Sequence, residues 1–303
     1  MSGKICVILN PASRGGATRS RLPEIRAALE AAGIGPIFQT TAAGEETSLA
    51  ARAIATGAQT IVAVGGDGTC SRIAAAILES RIDCRLAVLP SGTGNDFAKT
   101  LGVSRCSVPE LADLIENGAT AQVDAGRADG RYFINSCGFG FDASVLEATT
   151  RIHRLKGYTV YIYSALRMLF GYKGFSARIG GDDAGPPSTR HLLMLTVSNG
   201  RFLGGAFMIA PGASPNDGLL DVCHVHDMSV PRRLQLFARA MRGTHAAVAG
   251  VTMKKTARLE LRFDSPPLIE IDGELHRASA RDVTIECVPR ALSVVTAPGA
   301  IAG

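Results

Sequence analysis

Apolar positions along the first 125 residues recur in two alternating patterns. Short, fully apolar runs at Ile5–Leu9, Ile61–Val64 and Leu86–Leu89 read as buried strands. Between them Leu22, Ile25, Leu29 and Ala32 fall at helical spacing, and Thr47–Thr56, Ile73–Glu79 and Pro109–Glu116 read as further helices. Gly33 and Gly35 end the first helix, and Pro36–Gln39 reads as a second strand. This alternation predicts a mostly parallel sheet with helices on both faces, a three-layer α/β/α domain.

The pattern changes near Asp124. Period-two alternation appears in Arg258–Phe263 and Leu268–Ile271, a continuous apolar run covers His191–Val197, and Arg281–Val288 reads as another strand. Clusters of Gly, Pro and Asp at 180–187 and 211–218 separate them. These strands predict an antiparallel β-sandwich or barrel, interrupted by helices at about 151–170 and 230–248. The expected organisation of the 303 residues is a domain at 1–124, a β-rich domain at 125–290, and a tail at 291–303 returning to the first domain.

Charge separates the two parts. Residues 1–124 carry 11 basic and 12 acidic side chains, and residues 125–303 carry 21 and 15, for a net charge of +5. The second part is therefore the face for an anionic partner, phospholipid or nucleic acid, with a generic solvated surface as the alternative. Seven cysteines without a C-x-x-C pair fit reduced thiols in a cytosol. The first residues read as a strand, with no signal peptide before it. The longest apolar stretch, 158–172, is too short to span a bilayer and contains Arg167. There is no H-E-x-x-H, no P-loop and no G-x-S-x-G motif, which excludes the chemistries that rest on them. His224 and His226 alternate along one strand and could ligate a metal, but polar positions on a half-buried strand explain them.

Three loops carry candidate chemistry. Val64-Gly65-Gly66-Asp67-Gly68-Thr69 ends a buried strand; its glycines allow a sharp turn and close ligand approach, and successive N–H groups with a helix N-terminus suit an anion. A carboxylate beside phosphates is useful with a metal or a donor network, so Asp67 is a candidate, with a plain helix cap as the alternative. After the next strand, residues 89–102 supply Ser91, Thr93, Asn95 and Asp96 at a helix start. After the first strand comes Asn10-Pro11-Ala12-Ser13-Arg14-Gly15-Gly16. Loops at successive strand ends of one doubly wound sheet converge on one crevice.

In this order, these motifs resemble the diacylglycerol kinase catalytic domain, especially the bacterial soluble lipid kinases, relatives of sphingosine and ceramide kinases and, more distantly, of NAD kinases. The resemblance spans nearly the whole chain, including Val123–Gly126, Gly138–Ala143, Pro215–Val222 and Asp272-Gly273-Glu274. It implies a Rossmann-like domain, a β-sandwich domain and an active site in the interdomain cleft. It further implies a cytoplasmic, peripherally membrane-associated kinase that uses ATP and Mg²⁺ on a lipid alcohol, binds no nucleic acid, and has homodimerisation open to it. Asn10, Pro11, Ala12, Ser13, Thr40, Gly65, Gly66, Asp67, Gly68, Thr69, Ser71, Thr93 and Asn95 would contact the nucleotide, with Thr41 as a one-residue alternative to Thr40. Asp217 with the carbonyls of Ser214 and Leu219 would hold a structural Mg²⁺, Asp124 and Lys156 would join the charge network around it, and Asp67 and Glu274 would be catalytic, Glu274 as general base.

Beside the resemblance stands a physical case for Glu274: phosphoryl transfer to an alcohol needs a proton acceptor near the nucleophile, and Glu274 follows a strand and an Asp-Gly turn. An exposed hairpin carboxylate is the alternative. Two positions depart from the family. Ser71-Arg72 replaces Asn-Glu after the glycine loop, and Arg14 stands where glycine is common. A soluble-substrate kinase of the NAD type and a binding protein with impaired catalysis therefore remain as competing functions.

Two basic segments suit a lipid surface. Residues 228–263 hold eight basic side chains and one acid, with Leu234, Phe237 and Met241 at helical spacing. Residues 151–173 combine Arg151, Arg154, Lys156, Arg167 and Lys173 with Tyr158, Tyr161, Tyr163 and Phe170. One of them is expected to dock on membrane; a core helix with solvated flanks is the alternative.

Overall fold

The computed structural model describes residues 4–117, 120–150, 158–182 and 187–301. The chain divides into two compact units, Met1–Asp124 with Arg290–Gly303, and Ala125–Pro289.

In the first unit β1 (Ile5–Leu9), β2 (Ile37–Gln39), β3 (Thr60–Gly65) and β4 (Arg85–Pro90) are parallel, in the order β4-β3-β1-β2. They alternate with α1 (Leu22–Ala31), α2 (Glu45–Ala55), α3 (Asp67–Ser80), α4 (Asp96–Thr100) and α5 (Val108–Glu116). Every residue of β3 is buried, as a parallel strand covered on both faces requires. Val7 and Leu9 of β1 pack with Ile25 and Leu29 of α1 and Leu111 of α5. The pleat sends Cys6 and Ile8 to the opposite face, where α2 lies against β1 and α3. The chain leaves β1 for β2 on one side and β3 for β4 on the other. The loops after β1 and β3 therefore flank a topological switch point, where open α/β sheets bind ligands. Helix α3 begins at Asp67, immediately after the glycine turn and well before the apolar spacing at Ile73. The short α4 had no periodic signal.

The second unit takes in the end of β5 (Thr120–Ala128), then β6 (Arg131–Phe133), β7 (Ser136–Gly140), α6 (Phe141–Thr150), α7 (Tyr158–Gly171), β8 (Phe175–Gly181), β9 (Ser188–Ser198) and β10 (Leu220–His226). It continues with α8 (Val230–Ala240), β11 (Val251–Thr256), β12 (Arg258–Arg262), β13 (Leu268–Ile271), β14 (Glu274–Arg277) and most of β15 (Asp282–Val295). Its strands pair antiparallel as a β-sandwich. Long β9 takes β8 and then β7 along one edge and β10 along the other. Phe139, Phe175 and Phe263 stack in one core, at centroid distances of 5.3 and 5.9 Å. A second core joins Phe141, Leu169, Leu193, Phe207 and Leu236 beneath the helices.

Three boundaries differ from the periodic reading. The helix expected at 151–170 is preceded by a separate α6, and residues 151–157, including Lys156, Arg151 and Arg154, lie outside the described residues. The helix expected at 230–248 stops at Ala240, and Gly243 takes φ +68°, a left-handed conformation that ends a helix. Strand β15 runs past Val288 although Pro289 lacks an N–H. Arg290 turns through φ +50°, and its N–H donates to the buried Asp124 carboxylate at 2.7 Å. Val294 then pairs in parallel with Leu86 of β4.

Candidate functional site

The loops after β1, β3 and β4 are bonded to one another. Asn10 N–H donates to Val64 O at 2.9 Å and Ser91 N–H to Gly65 O at 2.8 Å. Ser13 Oγ lies 3.1 Å from Ser91 Oγ and donates to Thr18 Oγ1, which in turn donates to Ser91 O at 3.0 Å. Asn10 Oδ1 accepts Ala12 N–H at 2.8 Å and shapes the first loop. Glycine also brings the second and third loops into close backbone approach: a Cβ on Gly66 would come within 3.1 Å of Gly92 Cα, and one on Gly92 would overlap Gly66 Cα outright.

Asp67 and Asn95 bind backbone. Asp67 Oδ1 accepts the N–H of Phe97 in the first turn of α4 at 3.1 Å, so the cap that Asp67 supplies serves α4, a different helix from its own. Asn95, at φ +53°, does not cap α4 with its side chain. It folds back to Gly92, accepting N–H at 3.0 Å and donating to the carbonyl at 3.1 Å.

A residue without any sequence signal organises this region. Glu46 is buried, and Asn10 Nδ2 donates to it at 2.8 Å, Thr69 Oγ1 at 3.4 Å and Arg72 Nη1 at 3.2 Å. The positive charge that departs from the family pattern is thus neutralised inside the unit. Of the other predicted residues, Thr40 is buried and extends the β1 ladder through Leu9 O at 2.9 Å, whereas Thr41 turns to Glu45. Pro11 is buried, Ser71 half-buried, and Ala12 and Thr93 exposed; the side chain of Arg14 lies outside the described residues. A Cβ on Gly68 would meet nothing within 4 Å. The N-terminal turn of the 14-residue α3 thus lies open to an anion, and phosphate chemistry fits it.

In the second unit Glu274 opens β14. Asp272 (φ +46°) and Gly273 (φ +85°) form the left-handed pair of a tight hairpin, closed by the Ile271–Glu274 pairing. Buried Asp272 holds that turn: its carboxylate accepts the N–H groups of Ile134 and Asn135 at 2.8 Å and of Ser136 at 2.9 Å. Glu274 is half-buried, its side chain 35% exposed, with His276 Nε2 3.9 Å away. Glu270 lies behind the hairpin, fully shielded, and one of its oxygens accepts Gly273 N–H. Burial, then the nearby Asp142 charge, pushes its carboxyl well above the usual range. Burial likewise raises Asp142 to about 6, opposed by a 2.6 Å bond from Thr196 Oγ1. The sequence singled out Asp142 only within a motif and Asp272 only as a turn former; the acid-Gly-acid spacing was the one available signal for the latter.

The loop proposed for Mg²⁺ offers hard oxygens. Asp217 Oδ1 accepts Leu219 N–H at 3.1 Å, and Oδ2 is held by the ammonium of Lys255, which also lies 3.5 Å from Asp221. One carboxylate and the carbonyls of Ser214 and Leu219 fit Mg²⁺ in kind, with Lys255 competing for the carboxylate. Asp124 belongs to the first unit, where it binds Arg290 N–H. Among the described residues no three His, Cys, Asp or Glu cluster as a metal site; buried His224, lowered to about 4 by burial, lies 3.5 Å from Arg190. No helix of the described residues is long and apolar enough to cross a membrane.

Comparison with known proteins agrees with this architecture. Residues 4–128 match the diacylglycerol kinase catalytic domain, and residues 135–296 match the YegS C-terminal NAD kinase beta sandwich-like domain. The chain is 33% identical over 235 residues to a YegS-like lipid kinase of Pseudomonas putida, covering 76% of this chain and 77% of that one. It is 27% identical over 270 residues to a diacylglycerol kinase of Bacillus subtilis, covering 88% of each. A solved structure from Bacillus anthracis superposes with a TM-score of 0.79 at 24% identity, covering 99% of this chain and 97% of that one, a likeness of fold. With both domains matched in order along one chain, the protein belongs to the diacylglycerol kinase and YegS-like lipid kinase family of alcohol-accepting phosphotransferases.

Proposed function

We propose that this chain transfers the γ-phosphoryl group of ATP to the hydroxyl of a diacylglycerol-like lipid. The observation that carries the reading is the backbone contact of Gly66 with Gly92 at the switch-point loops, which leaves the α3 N-terminus open beside Gly68. Asn10, Pro11, Ala12, Ser13, Thr40, the 65–69 loop, Ser71, Thr93 and Asn95 bind the nucleotide, and Asp67 keeps the second and third loops in register through Phe97. Glu274 accepts the proton of the lipid hydroxyl as its oxygen forms the new bond to phosphorus. The bond from the γ-phosphorus to the bridging oxygen breaks, and ADP leaves with that electron pair. Asp217 with the carbonyls of Ser214 and Leu219 would hold Mg²⁺, which supplies positive charge that stiffens the loop. The pairing of Arg72 with Glu46 supports an active enzyme over an impaired one, since the added charge is spent inside the fold. The reaction belongs in the cytoplasm at the membrane surface, where the acceptor resides.

The test offers labelled ATP with diacylglycerol, sphingosine, ceramide and NAD in turn. Label in a lipid phosphate and none in NADP is the expected outcome. Label in NADP alone, or in nothing, rejects the proposal.

A further inference from the structure

Six large hydrophobic side chains of the described residues are exposed, and five stand on two helices of the second unit. Tyr163 (48%), Leu166 (39%) and Phe170 (65%) lie on α7, Leu234 (41%) on α8 and Met241 (46%) at the C-cap of α8. Spacings of three, four and seven place each set on one helical face. The opposite faces, with Ala165 and Leu169 of α7 and Leu236 and Ala240 of α8, close over one core with Phe141 and Leu193. Phe237, expected from its spacing to join the exposed set, packs inward on Phe207 at 5.0 Å. Arg233 fastens the helices together, donating to Leu169 O at 2.9 Å and Tyr172 O at 2.8 Å while pairing with Asp227. Both apolar stripes therefore lie on the outside of one helical layer.

That layer is cationic. Residues 158–181 and 228–259 contain no acidic residue. Arg167, Lys173, Arg232 and Arg242 are exposed and Arg239 half-exposed, and none of the five is in an ion pair among the described residues. Apolar residues at the centre with uncompensated cations around them match an anionic lipid surface. A second copy of the chain would bring the same cations against each other.

We propose that the outer face of α7 and α8 docks on an anionic bilayer. The five hydrophobic side chains enter the acyl boundary and the five cations lie among the headgroups. The inference rests on the lipid-kinase reading, which makes the bilayer the source of the acceptor.

The experiment is co-sedimentation of the full chain with phosphatidylcholine vesicles, with and without phosphatidylglycerol. It is run beside kinase assays on long-chain diacylglycerol in vesicles and on a water-soluble short-chain diacylglycerol. Wild type is expected to pellet with the anionic vesicles, less as salt rises. Leu166→Ser/Phe170→Ser and Arg239→Gln/Arg242→Gln should each weaken partition at least about tenfold. Both should also lose the vesicle reaction while keeping the wild-type rate on the short-chain substrate. Equal binding by wild type and variants, or wild-type binding that ignores salt or lipid charge, overturns the proposal. A lipid-free wild-type dimer that these variants dissolve overturns it too, because the face would then be a self-association surface. Salt-dependent pelleting without phosphorylation of any lipid upholds the docking face and rejects the kinase reading.

Discussion

Replacing Gly92 by alanine tests whether the phosphate loops depend on a backbone contact. The new Cβ would overlap Gly66 Cα and sit 2.8 Å from Asn95 Oδ1 and 3.3 Å from Gly66 N. Ordinary carbon contacts need about 3.5–4.0 Å, so the loops must part by about 1 Å or the Asn95 bonds to Gly92 must break. Overpacking of this kind costs about 1–3 kcal/mol. A displacement of about 1 Å at a positioning loop can cost about a hundredfold in rate. Gly68→Ala is the control. It places the same methyl where nothing lies within 4 Å, inside α3, where alanine is favoured over glycine by about 0.5–1 kcal/mol. Urea unfolding and calorimetric titration with a non-hydrolysable ATP analogue measure both effects. Gly92→Ala should lose stability and bind the analogue at least about tenfold more weakly, equivalent to about 1.4 kcal/mol. Gly68→Ala should hold or gain stability yet weaken binding, because its methyl enters the space beside the α3 N-terminus that the proposal gives to phosphate. If Gly92→Ala unfolds and binds like wild type, the glycine contact does not organise the loops and the reasoning fails.

Asp272→Ala strands three buried N–H groups at about 1–3 kcal/mol each, so the unfolding free energy should drop by roughly 3–5 kcal/mol in a denaturant titration. Glu274→Gln should cut single-turnover transfer by about 10²–10⁴ while calorimetry finds ATP affinity unchanged; near-wild-type turnover removes it as the base. Asp142 holds its proton more tightly when folded, having risen from 3.8 to about 6, so its own contribution to stability is fully present below 3.8 and falls by about 3 kcal/mol as pH climbs through about 6. Asp142→Asn keeps an acceptor for Thr196, and urea titrations at several pH values should show that decline flattened and stability near pH 7 raised. Lys255→Met frees one oxygen of Asp217, so melting curves should respond to lower Mg²⁺ concentrations than in wild type, and Asp217→Ala should abolish the response.

Local order alone was enough to reveal much of this protein. The apolar runs of β1, β3 and β4, interleaved with helical spacing, specified a parallel α/β unit because buried strands and amphipathic helices write their periods directly into the chain. The glycine loops were legible because Gly66 and Gly92 approach too closely for a Cβ between them, and the Asp272-Gly273 hairpin because its left-handed backbone excludes most other residues. Three-dimensional packing alone paired Glu46 with Arg72 across 26 residues and brought Asp272 to the N–H groups of residues 134–136. It also returned the chain past Pro289 to β4 and turned Phe237 inward while leaving Phe170 outside. A carboxylate in a sequence carries no mark of the donors that will surround it. Those partners lie tens to hundreds of residues away, and desolvation, which makes them obligatory, exists only once the chain has closed around them.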